Sequence, residues 1–120
     1  MAKKKRHNRV PKEVAEAVRN RADGHCEIMH YQSGCNGQAE HLHHRKLRSQ
    51  GGEHTAENLV HICSNCHHWL HMHPKPAYEH GWLVKGMKNP AYIPFERRGV
   101  LVLLEHGGGW HEVTYEPLSI

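Results

Sequence analysis

Residues 41–71 read HLHHRKLRSQGGEHTAENLVHICSNCHHWLH, and their order decides the fold. Residues 39–44 are expected to form a short strand that runs into the doublet His43-His44. Arg45 to Thr55 is polar, and its Gly51-Gly52 pair permits a sharp turn, so this stretch reads as a loop. Leu59 to Ile62 is a second short strand. Cys63 to Cys66 is a knuckle. A helix is expected to start near Ser64 and to end by His73, because the residue before Pro74 avoids the helical region. The expected order is strand, long loop, strand, helix.

Spacing assigns chemistry to the histidines. His43 and His44 are neighbours on a strand, so their side chains point to opposite sides. They are poorly placed to chelate one ion together and well placed to do two different jobs. His67 and His71 are four apart on the predicted helix, hence on one face. That spacing suits two imidazoles on one cation. A third ligand from His43 leaves positions for water and substrate, which separates a catalytic metal from a closed one. His68 and His73 lie off that face. The plainer alternative is a histidine-rich segment that binds metal without catalysis.

The cysteines form two pairs. Cys63 and Cys66 are spaced C-x2-C, and Cys26 and Cys35 are spaced C-x8-C across a glycine-bearing loop. Four thiolates from two segments make a closed tetrahedral zinc site of the structural kind. Such an ion ties the N-terminal loop to the start of the later helix and replaces missing core. Two alternatives stay open: a knuckle beside two buried thiols, or His30 as fourth ligand in place of Cys35.

Composition agrees with a stapled domain. The chain has 120 residues, 38% of them apolar, with a single Phe. It can bury only a modest core, so a staple is expected. Fifteen histidines are present, and neutral imidazole is the commonest metal ligand. A formal charge of +4 and a pI near 9.0 favour a polyanionic partner, nucleic acid ahead of membrane. No apolar run approaches the ~18 residues needed to span a bilayer. The start, MAKKKRHNRV, has charge but no apolar core, so it is not a secretory signal. A reducing, cytoplasmic compartment follows, where four cysteines point to metal over disulfides.

Around the central segment, residues 1–10 read as a basic disordered tail, an electrostatic arm for DNA. Residues 11–22 read as a helix: Pro11 suits its first turn, and Asp23-Gly24 ends it. Lys75 to His80 is a further helical turn closed by Gly81. Residues 11–81 thus make one domain, and 82–120 a C-terminal extension packed on or beside it. In that extension Val100 to Leu104, a turn at Gly107–Gly109, and Trp110 to Tyr115 look like a terminal hairpin.

The segment from Cys26 to His71 resembles the HNH endonucleases, most of all small HNH proteins of bacteriophages and actinobacteria. The motifs that carry the likeness are HLHHRKLRSQGG followed by TAENLVHICSNCHHWLH. The resemblance implies an α+β chain: a small ββα-metal core stapled by a four-cysteine zinc site, with an N-terminal helix and a C-terminal hairpin. It implies that His44 is the general base and that His43 holds the position of a metal-binding Asp or His. Asn58 matches the N of the motif, which orders the loop, and His67 matches the last metal-binding H. His71 matches an additional ligand of the colicin nuclease branch, although many members lack it. The cysteines match the zinc-bearing subset, and the C-x8-C spacing departs from its usual C-x2-C.

The implied activity is hydrolysis of DNA phosphodiester bonds, leaving 5′-phosphate and 3′-hydroxyl ends. It uses one divalent ion (Mg2+, Mn2+, Ni2+ or Zn2+) besides the structural zinc. Arg45, Lys46 and Arg48 are expected to hold phosphates near the site. Likeness to phage proteins also implies a terminase partner in genome packaging. The main rival is a non-catalytic zinc module that binds DNA.

Overall fold

Two antiparallel strands and a helix form the centre of the computed structural model, which describes residues 9–113. Strand β1 (His41–His44) pairs with β2 (Leu59–Ile62), with His41 opposite Ile62 and His44 opposite Leu59. Helix α2 (Ser64–Met72) follows β2 directly. Strand, loop, strand and helix thus occur in the expected order, with β1 starting at residue 41 instead of 39. Leu59, Val60 and Ile62 are all fully buried, because the β2 strand is covered on both faces. Leu59 packs with Val18 of helix α1 (Lys12–Ala22), while Val60 and Ile62 join Leu70 of α2. Pro11 directly precedes α1, and Asp23 ends it in a left-handed conformation, its N–H donating to the Arg19 carbonyl at 2.9 Å.

A short helix, α3 (Pro74–Glu79), takes a proline in its first turn and leads to Gly81. Gly81 has φ +74°, and a Cβ there would collide with the Pro94 carbonyl, so only glycine lets these segments meet. The chain then builds a second antiparallel sheet from β3 (Phe95–Arg97), β4 (Val100–Leu104) and β5 (Trp110–Glu112), in that spatial order. The predicted hairpin corresponds to β4 and β5. Its last predicted residue, Tyr115, lies outside the described residues, as does the basic tail except Arg9 and Val10. Strand β3 was not expected from sequence; Phe-Glu-Arg is too short to show a period.

Trp82, Leu83, Phe95, Val102 and Leu104 share one core with Cys26, Ile28, Val60 and Leu70. Residues after Gly81 therefore complete the hydrophobic core. A buried ion cluster ties the same pieces together. The Glu27 carboxylate, fully buried, accepts from Arg21 Nε at 2.8 Å, Arg97 Nε at 3.1 Å and the His61 N–H at 3.0 Å. It joins α1, the 25–38 loop, β2 and β3. The described residues form a small α+β arrangement of two sheets and three α-helices. Among the described residues, no helix is long and apolar enough to cross a membrane.

Candidate functional site

Cys26, Cys35, Cys63 and Cys66 converge, with one sulfur from each lying within 4.8 Å of all the others. None is in a disulfide. A tetrahedral zinc with bonds of about 2.3 Å sets its sulfurs about 3.8 Å apart; the Cys35 and Cys63 Sγ atoms are 3.6 Å apart. Backbone N–H groups of Met29, Gly37 and Cys66 donate to the sulfurs of Cys26, Cys35 and Cys63 at 3.4, 3.3 and 3.2 Å. Donors aimed at sulfur favour thiolate. The Cys66 thiol draws the Cys26 pKa down to about 5 against burial. Burial pushes Cys35 up to about 11, and the bond to Cys26 raises Cys66. Packed this closely, the thiols resist losing more than one proton unless a cation shares the charge. A divalent ion fits that donor set.

The C-x8-C spacing is taken up by a loop with a closed neck. Cys26 N–H donates to the Gly37 carbonyl at 3.0 Å, and His25 bridges to Gln38. Gly34, at φ +71°, turns the chain so that Cys35 returns toward Cys26. His30 is not in the cluster, which corrects the alternative that gave it the place of Cys35. Its ring lies 4.4 Å from Trp69 and 5.0 Å from Trp82, in the aromatic wall behind α2.

His43, His67 and His71 form a second group, again with one donor atom from each within 4.8 Å of the others. The His43 ring is 5.0 Å from His67 and 5.5 Å from His71. Strand β1 aims His43 at α2, and the one-turn spacing of α2 puts the other two imidazoles on one face, their rings 5.0 Å apart and tilted by 56°. His43 is buried, and its Nε2–H donates to the Trp82 carbonyl at 2.9 Å. A carbonyl can only accept, so Nδ1 carries the lone pair that remains for a cation. His67 Nδ1 lies 2.9 Å from His41 Nδ1, which leaves Nε2 for a cation. Burial lowers the His43 pKa to about 3 and the His67 pKa to about 4. Both rings are neutral at pH 7, the form that binds metal. His71 is exposed, so the group is open on one side. Three imidazoles with an open side fit a divalent ion that keeps free positions.

His44 faces the other way, as the strand period requires. Its Nε2 lies 2.9 Å from His54 Nδ1, the rings being 5.1 Å apart. Burial, then the charges of His54 and Arg48, lower its pKa to about 4. Asn58 is buried at the foot of the loop. Its Oδ1 accepts from Lys46 N–H at 2.7 Å, and its Nδ2 donates to the carbonyls of Lys46 and Glu53 at 3.1 and 3.0 Å. The loop between β1 and β2 is thereby held on both sides. Gly52 completes the fold-back: a Cβ would collide with the Lys46 carbonyl.

Arg45 needs correction. It was expected to hold phosphate, yet its exposure is 0%. Its guanidinium donates to the carbonyls of Gly81, Glu57, Pro90 and Ile93 at 2.8, 2.8, 3.2 and 2.7 Å. The planar fork of arginine satisfies several divergent acceptors, which a surface role does not need. Sequence alone gave it the same sign and setting as its neighbours. Arg48 donates to the Gly52 carbonyl at 2.7 Å, and Lys46 is half-buried at the edge of a cavity.

Two residues of the site went unread in the sequence. His41 was legible: it stands two before His43, hence on the same face of the strand. His54 was not, because only the folded loop brings it to His44. The chain matches no family model, no curated protein and no solved structure.

Proposed function

We propose that this protein is a metal-dependent endonuclease of the HNH type that hydrolyses phosphodiester bonds in DNA. One observation carries the reading: His43 turns into a group of three imidazoles while its neighbour His44 turns away to a separate partner. Strand alternation alone turns His44 away from His43; what bears on the reading is that it meets His54 there, which engages Nε2 and leaves Nδ1 for a proton. The net charge of +4 supports a polyanionic substrate.

In this reading His43, His67 and His71 hold a divalent cation, and the four cysteines hold zinc. The cation supplies Lewis acidity toward a phosphate oxygen and offsets charge that grows in the transition state. His44 acts as base. With Nε2 held by His54, its Nδ1 is left to take a proton from the attacking water. The water oxygen bonds to phosphorus as the bond to the 3′ oxygen breaks. A neutral His44 is ready to accept, and a nearby phosphate raises its basicity against the effect of burial. When His44 becomes imidazolium, His54 Nδ1 accepts its Nε2–H. Asn58 keeps the backbone of the loop still while this happens.

The test is nicking of supercoiled plasmid with Mg2+, Mn2+, Ni2+ or Zn2+ added in turn. Wild-type protein is expected to cleave, and His44→Ala to lose at least about a hundredfold in rate while keeping metal and DNA binding. Full activity of His44→Ala removes it as base. A wild-type chain that binds both metals and cuts no DNA removes the nuclease reading.

A further inference from the structure

We infer that the turn Lys85–Lys88 is a second DNA-contacting element, with Met87 as an apolar wedge into the base stack. The inference rests on the nuclease reading above and extends its substrate surface beyond residues 41–71. Three observations lead to it. The first is position. Val84 N–H donates to the Arg45 carbonyl at 2.9 Å, and a Cβ on Gly86 would stand 3.5 Å from Gln50. The turn therefore lies alongside the basic loop that follows His44. The second is fixation. Lys88 N–H donates to the Lys85 carbonyl at 2.9 Å, closing the turn, and the buried Arg45 fork holds the Pro90 and Ile93 carbonyls behind it.

The third is what the turn displays. Met87 is 99% exposed, and Lys85 and Lys88 flank it, both exposed. An exposed methionine is unremarkable where the chain is loose. At the tip of a fixed turn, between two cations, it has the form of the side chains that enter base steps from a positively charged frame. A cavity of about 310 Å3 separates this turn from the loop, with Lys46, Asn58, Lys88 and Asn89 in its lining. Glu53 and Glu57 also line it, so the charges inside the space are mixed. Lys46 and Lys88 thus face one space beside the residue that orders the loop. The exposed Lys88 in its lining and the exposed Lys85 on the same turn are the cations that phosphates of one strand would meet.

The test is binding of a mixed-sequence duplex carrying 2-aminopurine, in the His44→Ala background so that the DNA stays whole. Fluorescence anisotropy is read against salt. Lys85→Ala with Lys88→Ala should flatten the log–log salt slope by about 1.8 and weaken binding by roughly one to two orders of magnitude at ~0.1 M salt. Met87→Ala should leave the slope alone, weaken binding about tenfold, and abolish the 2-aminopurine brightening that reports unstacking. Lys12→Ala, in the first turn of α1 and outside the turn, serves as control. Thermal stability and zinc content should stay at wild-type values throughout, because none of these side chains is buried. Turn variants that bind like wild type, or like Lys12→Ala, overturn the inference while the nuclease reading stands. Failure of the parent chain to bind duplex at all overturns both.

Discussion

Replacing Arg45 by Met separates a structural arginine from a DNA-binding one. Met fills most of the aliphatic stem but leaves the carbonyls of Gly81, Glu57, Pro90 and Ile93 without their donor. A hydrogen bond to a charged group contributes ~1.5–3 kcal/mol, so four independent ones would sum to roughly 6–12. They are not independent, since one guanidinium makes them all, and the Pro90 and Ile93 carbonyls are near enough to the surface to recover water. The cost of breaking a buried charged network, about 3–5 kcal/mol, is the better figure. That is roughly half the stability of an ordinary small domain, and it corresponds to a Tm fall on the order of 10–20 °C. The assay is thermal and urea unfolding of zinc-loaded protein by circular dichroism, with duplex binding measured on the folded fraction in the cold. Arg45→Lys should recover less than half the loss, because an ammonium cannot fork toward four acceptors. The phosphate-binding role predicts the opposite pattern: unchanged Tm, weaker binding, and a salt slope reduced by ~0.9. That pattern would refute the structural role.

Three further outcomes follow from the same geometry. His54→Ala should slow single-turnover cleavage about tenfold with metal affinity unchanged, and His54→Asn, which offers an oxygen near the Nδ1 position, should restore most of it; equal rates for both variants would dismiss the His44–His54 bond. Cys63→Ser should lower zinc stoichiometry by plasma emission and depress Tm in step, whereas normal folding without zinc would end the structural assignment. Glu27 supplies a pH signature. Burial pushes its carboxyl up, but Arg21 and Arg97 outweigh this and hold it below its ordinary 4.5. The stability it provides is therefore complete above pH ~4.5 and is lost as pH falls through the depressed folded value. Urea titrations should show that acid loss in wild type and a flatter profile in Glu27→Gln, which starts about 3 kcal/mol less stable at neutral pH.

What sequence disclosed was whatever depends on local period. Residues 59–62, Leu-Val-His-Ile, are a short β-branched-rich stretch bounded by a knuckle, and β2 has those bounds. His67 and His71 share a face because any helix gives four-residue neighbours one face. The His43 and His44 side chains part because any strand does so. What stayed hidden depends on distant chain. The burial of Arg45 requires carbonyls from residues 81–93, more than thirty-five positions away, and nothing near Arg45 announces them. His54 acquires its partner only after Gly52 folds the loop back on Lys46. The chain after Gly81 held too few alternating residues to reveal that Trp82, Phe95 and Val102 finish the core.

The two donor groups are not independent, and α2 is the reason. Cys63 caps the helix, its sulfur accepting from Cys66 N–H at 3.2 Å, and Cys66 is followed at once by His67. The thiolate set therefore grips the first turn of the helix that carries two of the three imidazoles. Its other half, Cys26 and Cys35, belongs to a loop bonded to β2 through Glu27, whose N–H donates to the His61 carbonyl at 3.0 Å. Strand β2 in turn sets the register of β1 and so the place of His43. An ion among the cysteines would thus fix α2 against the sheet, and the gap between His43 and His67 is the distance that this joint would control. The start of this nine-residue helix is otherwise held at the surface, by Ser64 N–H on the Glu40 carboxylate at 3.1 Å and by Asn65 Nδ2 on the Gly34 carbonyl at 2.7 Å. Loss of the thiolate ion should loosen the imidazole group before it unfolds the chain, so binding of a second divalent ion should weaken at lower chelator concentrations than those that melt the helices.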